Sequence, residues 1–265
     1  MAFALVVAVL LYLALCGFLW VMQDRMVFPG AGHGDRGVPR VSPPVVMAWL
    51  EQGVFRTRIA TVAVLRPIGV AIYFGGNGED LYAAAANAAV IAGYGFEVIG
   101  VEHPGFGASG GRPSVASLLA TADAAATFAK ARAAVLQVPL VVVGSSLGSF
   151  CAVHVAAKGG IDKLVLRAPP TNLVAVAKRQ FWWLPVGLLL THRFDNLAVA
   201  GGVRCPALIL HGDADTIVPD HYGRELAKAL PQARFQSVPG CGHNDLDLSP
   251  MGPVGSVLQA FLETR

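Results

Sequence analysis

Leu140-Val141-Val142-Val143-Gly144-Ser145-Ser146-Leu147-Gly148 sets an unbroken apolar run directly against a glycine-flanked serine. Such a run suits a strand buried on both faces. Gly-x-Ser-x-Gly at its exit suits the sharp strand-to-helix turn that lifts a hydroxyl out of a sheet, a nucleophile elbow. The register selects one serine: Ser146 has Gly144 and Gly148 two residues to either side, whereas Ser145 has Val143 and Leu147, and Ser149 has Leu147 and Cys151. Glycines at those offsets relieve crowding around a strained backbone, so Ser146 is the candidate nucleophile. In a chain with 30 glycines the pattern alone also fits a plain tight turn, and the flanking sequence has to decide.

On both sides of this stretch, buried β-type runs cover residues 70–74, 96–101, 163–166, 207–210 and 234–238. They alternate with helical stretches at 81–92, 115–134, 148–157, 222–230 and 254–262. Residues 55–65 read as an early antiparallel strand and 44–51 as a short helix. The alternation predicts an α/β fold: a mostly parallel central sheet with helices on both faces. Chemistry in such folds gathers at the carboxyl ends of the strands, and the polar motifs fall there. Gly75-Gly76-Asn77-Gly78, Glu102-His103-Pro104-Gly105-Phe106-Gly107, His211-Gly212-Asp213-Ala214-Asp215 and Gly240-Cys241-Gly242-His243 each follow one of these runs.

A serine hydroxyl is a weak nucleophile at neutral pH and needs a base in contact and an anion to orient that base. Asp215 and His243 follow Ser146 in the order serine, acid, histidine. His211 precedes the acid, and His221 opens a helix close behind it. Asp215 is preferred to Asp213 on motif position, Asp213 being read as a cap for its turn. Two fixed N–H donors must meet the oxyanion: the amide of Leu147 and that of Asn77, with Gly76 as runner-up. Gly105-x-Gly107-x-x-Gly110 imitates a dinucleotide fingerprint but opens no helix at its second glycine. His211-x-Asp213-x-Asp215 lacks a further ligand at metal spacing. No metal and no cofactor are therefore expected. The net charge of +3 is small and scattered, which argues against nucleic acid as a partner.

At 265 residues the chain fits one large domain. Residues 2–22 carry no charge, and as a helix rising about 1.5 Å per residue they match the roughly 30 Å hydrocarbon core of a bilayer. A transmembrane anchor is the expected reading. A cleaved signal would have a basic start and a shorter apolar stretch, a lipoprotein site would place a small residue where Leu15 precedes Cys16, and a core helix would have a polar face. Arg25, Arg36 and Arg40 follow the run, so the positive-inside rule leans towards a cytoplasmic domain without settling its side. Residues 28–44 read as a linker packed on that domain. Cys16, Cys151, Cys205 and Cys241 form no disulfide framework.

Taken jointly, five motifs resemble the membrane-anchored α/β-hydrolase-domain serine hydrolases, close to the Bem-type and serine-aminopeptidase-like hydrolases. They are Phe74-Gly75-Gly76-Asn77-Gly78, Pro104-Gly105-Phe106-Gly107, Gly144-Ser145-Ser146-Leu147-Gly148, the run from His211 to Pro219, and Gly242-His243-Asn244. The resemblance covers nearly everything from Asp24 on. It implies an α/β-hydrolase fold over residues 23–265 and the triad Ser146, Asp215 and His243. Gly75 stands where many relatives have histidine, and Glu102 where many have aspartate. The expected activity is cleavage of an ester or thioester through an acyl-enzyme, on a small-molecule or lipid-like acyl substrate. The alternatives are an aminopeptidase-like amide hydrolase and a catalytically silent binding protein. About forty residues separate the runs ending at Leu166 and starting at Ala207, too many for an ordinary loop, and a cap over residues 169–203 is expected. Within it lie Phe181-Trp182-Trp183-Leu184 and Leu188-Leu189-Leu190. Trp182 and Trp183 are expected to bind substrate, as part of an acyl pocket or facing the bilayer.

Overall fold

The apolar runs at 70–74, 96–101, 140–143, 163–166, 207–210 and 234–238 are all strands in the computed structural model, which describes residues 1–264. In chain order the elements are α1 (Ala2–Val27), β1 (Val45–Gln52), β2 (Phe55–Val62), β3 (Gly69–Phe74), α2 (Leu81–Ala92), β4 (Phe96–Val101), α3 (Val115–Leu136), β5 (Leu140–Ser145) and α4 (Gly148–Ala157). Then follow β6 (Lys163–Arg167), α5 (Leu173–Gln180), α6 (Val186–Leu189), α7 (Leu197–Ala200), β7 (Ala207–Gly212), α8 (His221–Ala229), β8 (Ala233–Val238) and α9 (Gly255–Glu263). The strands form one eight-stranded sheet in the order β1-β2-β4-β3-β5-β6-β7-β8. Only β1 and β2 break the parallel arrangement.

The runs lack alternation because both faces of the sheet are covered. Val70, Ile72 and Phe74 of β3 pack into the layer of α3, α4 and α8, while Ala71 and Tyr73 pack into the layer of α2 and α9. Every residue of β3, β4, β5 and β7 is buried, and a buried Val, Ile or Leu contributes about 1.5–3 kcal/mol. From β3 the chain passes through α2 to β4 on one flank, whereas from β5 it passes through α4 to β6 on the other. The connections diverge between β3 and β5, leaving a crevice at their carboxyl ends, where ligands bind in open α/β sheets.

Residues 44–51 are not a helix. Val45, Val46, Trp49 and Leu50 recur at helical spacing, yet the segment forms β1 and pairs with β2 residue for residue, from Val45↔Val62 to Gln52↔Phe55. Gly53, at φ +72°, opens the two-residue hairpin turn. The β-branched and aromatic side chains favour the strand once a partner exists. That partner decides the conformation.

A buried ion pair ties the early strands together. Fully buried Glu102, at the exit of β4, accepts hydrogen bonds from Arg58 Nε at 2.9 Å, Ser109 Oγ at 2.6 Å and the Leu81 amide at 3.0 Å. Arg58 also reaches Asp35, at 2.8 and 2.9 Å. A buried carboxylate requires such saturation.

The 26 residues of α1 are long and apolar enough to cross a membrane. Of their side chains only Cys16 is buried. Phe28, immediately after, is buried with its ring edge-on to His192 and Phe194. Between β6 and β7 the chain forms α5, α6 and α7.

Candidate active site

Ser146 follows β5 with φ at +48°, a left-handed conformation rare for a residue with a side chain. Such a conformation costs about 1–3 kcal/mol. Contacts on both sides hold it: its amide donates to the Arg167 carbonyl at 2.9 Å, and its own carbonyl accepts the Ser149 amide at 3.0 Å. The flanking glycines have no room for a side chain. A Cβ on Gly144 would lie 2.6 Å from Ala152 Cβ and 2.8 Å from the Gly148 carbonyl oxygen, and one on Gly148 would meet the carbonyl oxygens of Phe74 and Gly75.

Beyond β7, Asp215 turns its Oδ1 to the amides of Ile217 and Val218, at 2.9 and 2.8 Å. Its Oδ2 lies 2.7 Å from His243 Nδ1, and His243 Nε2 lies 2.9 Å from Ser146 Oγ. An ionised carboxylate only accepts, so Nδ1 carries the proton and Nε2 offers its lone pair to the serine hydroxyl. Burial by itself would raise the Asp215 carboxyl. Hydrogen bonds from His211, His243 and the Val218 amide outweigh it and hold the group well below the usual carboxylate range. A carboxyl depressed in this way contributes stability that is present above its unfolded pKa of about 3.9 and is lost as pH falls through the folded value.

His211, passed over in the sequence because it precedes the acid, lies against Asp215. Fully buried, its Nε2 is 2.7 Å from the Val218 carbonyl oxygen and 3.3 Å from Asp215 Oδ2. It approaches the same carboxylate oxygen that His243 Nδ1 engages. Asp213 accepts the Gly240 amide at 2.7 Å and so caps the turn leading to His243. His221 rests on the ring of Tyr222, 4.1 Å between centroids.

On the β3 side, the loop 75–78 is fixed from beneath. Glu79 accepts the Gly76 amide, the Tyr73 hydroxyl and Asn87 Nδ2, each at 2.9 Å, and His103 Nε2 lies 2.9 Å from the Gly75 carbonyl oxygen. Burial lowers the His103 imidazole pKa, so the ring is neutral and donates there. These bonds separate the two oxyanion candidates: the amide of Gly76 is occupied. Among the described residues the amides of Asn77 and Leu147 have no acceptor. Both residues line the cavity beside Ser146.

That cavity encloses about 410 Å³ and reaches Ser146 and His243. The β6–β7 insertion supplies Leu173, Val176, Phe181 and Leu184, α4 and its approach supply Phe150 and Leu147, and α1 supplies Leu19, Met26 and Val27. No carboxylate or cationic side chain is among the described lining residues. Trp182 and Trp183 do not line it. The turn after α5 directs Phe181 and Leu184 inward and leaves Trp182 82% and Trp183 44% exposed. In place of the two expected positions, the pocket wall is formed by the neighbours of these residues, Phe181 and Leu184, while both tryptophans face outward. Cys151, behind the elbow, is buried and its thiol is pushed up to about 12, which leaves Ser146 without a thiolate competitor there.

The alpha/beta hydrolase fold family matches this chain over residues 73–203 and again over 180–250. An uncharacterised protein of Mycobacterium tuberculosis is 34% identical over 174 residues, 65% of this chain and 62% of that protein. An alpha/beta hydrolase domain-containing protein of Caenorhabditis elegans is 27% identical over 205 residues, 73% of this chain and 58% of its own length. The chain thus spans about three fifths of the curated relatives it matches. Among solved structures, an esterase of Pyrococcus furiosus superposes with a TM-score of 0.69 at 17% identity, covering 87% of this chain and 98% of the esterase, a likeness of fold. With a family match running from β3 to beyond β8 and the elbow at the predicted strand exit, the chain belongs to the alpha/beta hydrolase fold family.

Proposed function

We propose that this protein is a membrane-anchored serine hydrolase that cleaves ester or thioester bonds of apolar acyl substrates through an acyl-enzyme. One observation carries the reading: the unbroken contact from Asp215 through His243 to Ser146 ends at a cavity lined by apolar side chains. In the cycle, His243 Nε2 takes the Ser146 proton as Oγ attacks the acyl carbonyl carbon. The amides of Asn77 and Leu147 hold the resulting oxyanion. His243 then passes the proton to the departing alkoxide or thiolate as the C–O or C–S bond breaks. Water, deprotonated by the same imidazole, releases the acid and regenerates Ser146. Asp215 keeps Nδ1 protonated and stabilises the imidazolium.

The lining favours an ester over an aminopeptidase substrate, because a free α-ammonium in an apolar cavity would require a carboxylate. Each methylene buried adds about 0.8 kcal/mol, or roughly fourfold in kcat/KM. Across 4-nitrophenyl esters from acetyl to octanoyl, kcat/KM should climb by that factor per methylene until the cavity is filled. A profile falling from acetyl onwards, or faster turnover of aminoacyl anilides, would count against the reading.

The length and apolar exposure of α1 support its role as the anchor. The β6–β7 insertion, with its apolar face over the cavity, is read as the cap. Alkaline carbonate washing of membranes should leave the protein in the pellet; recovery in the wash would overturn the anchor.

A further inference from the structure

An anchor that only tethered a domain would leave its active site alone. In this protein the last turns of α1, from within the apolar run to beyond it, form part of the cavity wall, where Leu19, Met26 and Val27 face the space in front of Ser146. Polar bonds seat it there. Gln23 Oε1 accepts both the amide and the hydroxyl of Thr191, each at 2.8 Å, and Asp24 Oδ1 lies 2.8 Å from His192 Nε2. Asp24 also pairs with Arg112 Nε at 3.0 Å, and the buried Phe28 closes the segment against the core.

A second observation comes from higher on the helix. The Tyr12 hydroxyl donates to the Trp183 carbonyl oxygen at 3.0 Å, so α1 and the insertion run side by side between Tyr12 and Asp24, about 18 Å along the helix axis. Wherever that stretch lies in hydrocarbon, the insertion borders hydrocarbon too. Its outward side chains there include Trp182 and Leu188, both exposed; tryptophan suits the interface between water and lipid and leucine the hydrocarbon beside it.

Resting on the hydrolase reading above, we infer that the last turns of α1 are a specificity-determining wall of the acyl site. The substrate is a bilayer-dissolved long-chain acyl ester whose chain reaches Ser146 along the α1 face. Leu19 and Met26 set how much chain fits, because they stand between the lipid-facing part of the helix and the catalytic serine. Side chains on the far face of α1 take no part. Val21 sits two residues, or about 200°, around the helix from Leu19 and is 61% exposed.

The test uses the full-length protein in phosphatidylcholine vesicles, with 4-nitrophenyl butanoate and dodecanoate as substrates. Leu19→Trp and Met26→Trp should each lower the dodecanoate-to-butanoate ratio of kcat/KM at least tenfold, the equivalent of two methylenes excluded at about fourfold each. Val21→Trp should leave the ratio within twofold. Leu19→Ala, which cannot overpack the site, should move the preferred acyl length upward by at least two carbons. If the wild type hydrolyses both esters and the Leu19 and Met26 variants keep its ratio and optimum, α1 is not the wall and the inference falls while the hydrolase reading stands. If the wild type hydrolyses neither, the hydrolase reading fails and takes the inference with it.

Discussion

Replacing Ser146 or His243 with alanine is expected to lower kcat about a million-fold, and Asp215→Asn about ten-thousand-fold. The first two act as one unit, since without the imidazole the hydroxyl keeps its proton and without the hydroxyl the imidazole has nothing to activate. The double variant Ser146→Ala, His243→Ala should therefore be no worse than either single one. The smaller loss in Asp215→Asn follows from the amides around the acid. The carboxamide of that variant would have to give its oxygen to the amides of Ile217 and Val218, which now bind Oδ1, so its NH₂ would face His243 Nδ1. The imidazole would answer by moving its proton to Nε2, where it opposes the Ser146 hydroxyl instead of accepting from it. Steady-state turnover of 4-nitrophenyl butanoate, with circular dichroism to confirm the fold, measures all four. Equal losses for Asp215→Asn and Ser146→Ala would contradict the tautomer argument.

Gly148→Ala should damage stability and turnover together. The added Cβ meets the carbonyl oxygens of Phe74 and Gly75, backbone atoms at the end of β3 that cannot rotate away. Relief requires α4 to move off the sheet or the loop 75–78 to move outward. Overpacking of this kind costs about 1–3 kcal/mol or more. Displacing Asn77 or Leu147 by about an ångström would cost a further hundredfold in rate. The expected result is a lowered Tm together with at least a hundredfold lower kcat. Gly159→Ala is the comparison. Gly159 has a left-handed backbone, at φ +84°, and open space where a Cβ would go, so it should lose stability without losing turnover per folded molecule. Wild-type kcat in folded Gly148→Ala would show that the elbow tolerates the movement.

Much of this arrangement is legible in local sequence because local constraints produce it. Continuous Val and Leu runs mark strands covered on two faces, and the paired glycines mark the one serine whose turn leaves no space for Cβ. Asp215 and His243 follow the exits of β7 and β8 in chain order, and their loops reach back to Ser146 across β6. What local sequence hides is non-local. Residues 44–51 carry apolar side chains at helical spacing and become β1 only because β2 is there to pair with them. Trp182 and Trp183 look like pocket residues by their size, but the turn after α5 decides which of four consecutive apolar side chains point inward, and it selects Phe181 and Leu184. His211 is silent in sequence because its contact with Asp215 arises from the curl of the loop after β7. The wall built by α1 is equally silent: a charge-free run reads the same whether lipid or a cavity meets its end. The contacts of Gln23 with Thr191 and of Asp24 with His192, just beyond that run, distinguish the two.

The central claim is that Ser146 is the nucleophile, and covalent trapping reaches it without choosing a substrate. The full-length protein is treated with an alkyl fluorophosphonate, which phosphonylates an activated serine with loss of fluoride, and the adduct is located by peptide mass mapping. One equivalent on Ser146, abolished in Ser146→Ala and in His243→Ala, is the predicted result. An adduct on Ser145 or Ser149, or labelling that persists in Ser146→Ala, would contradict the account.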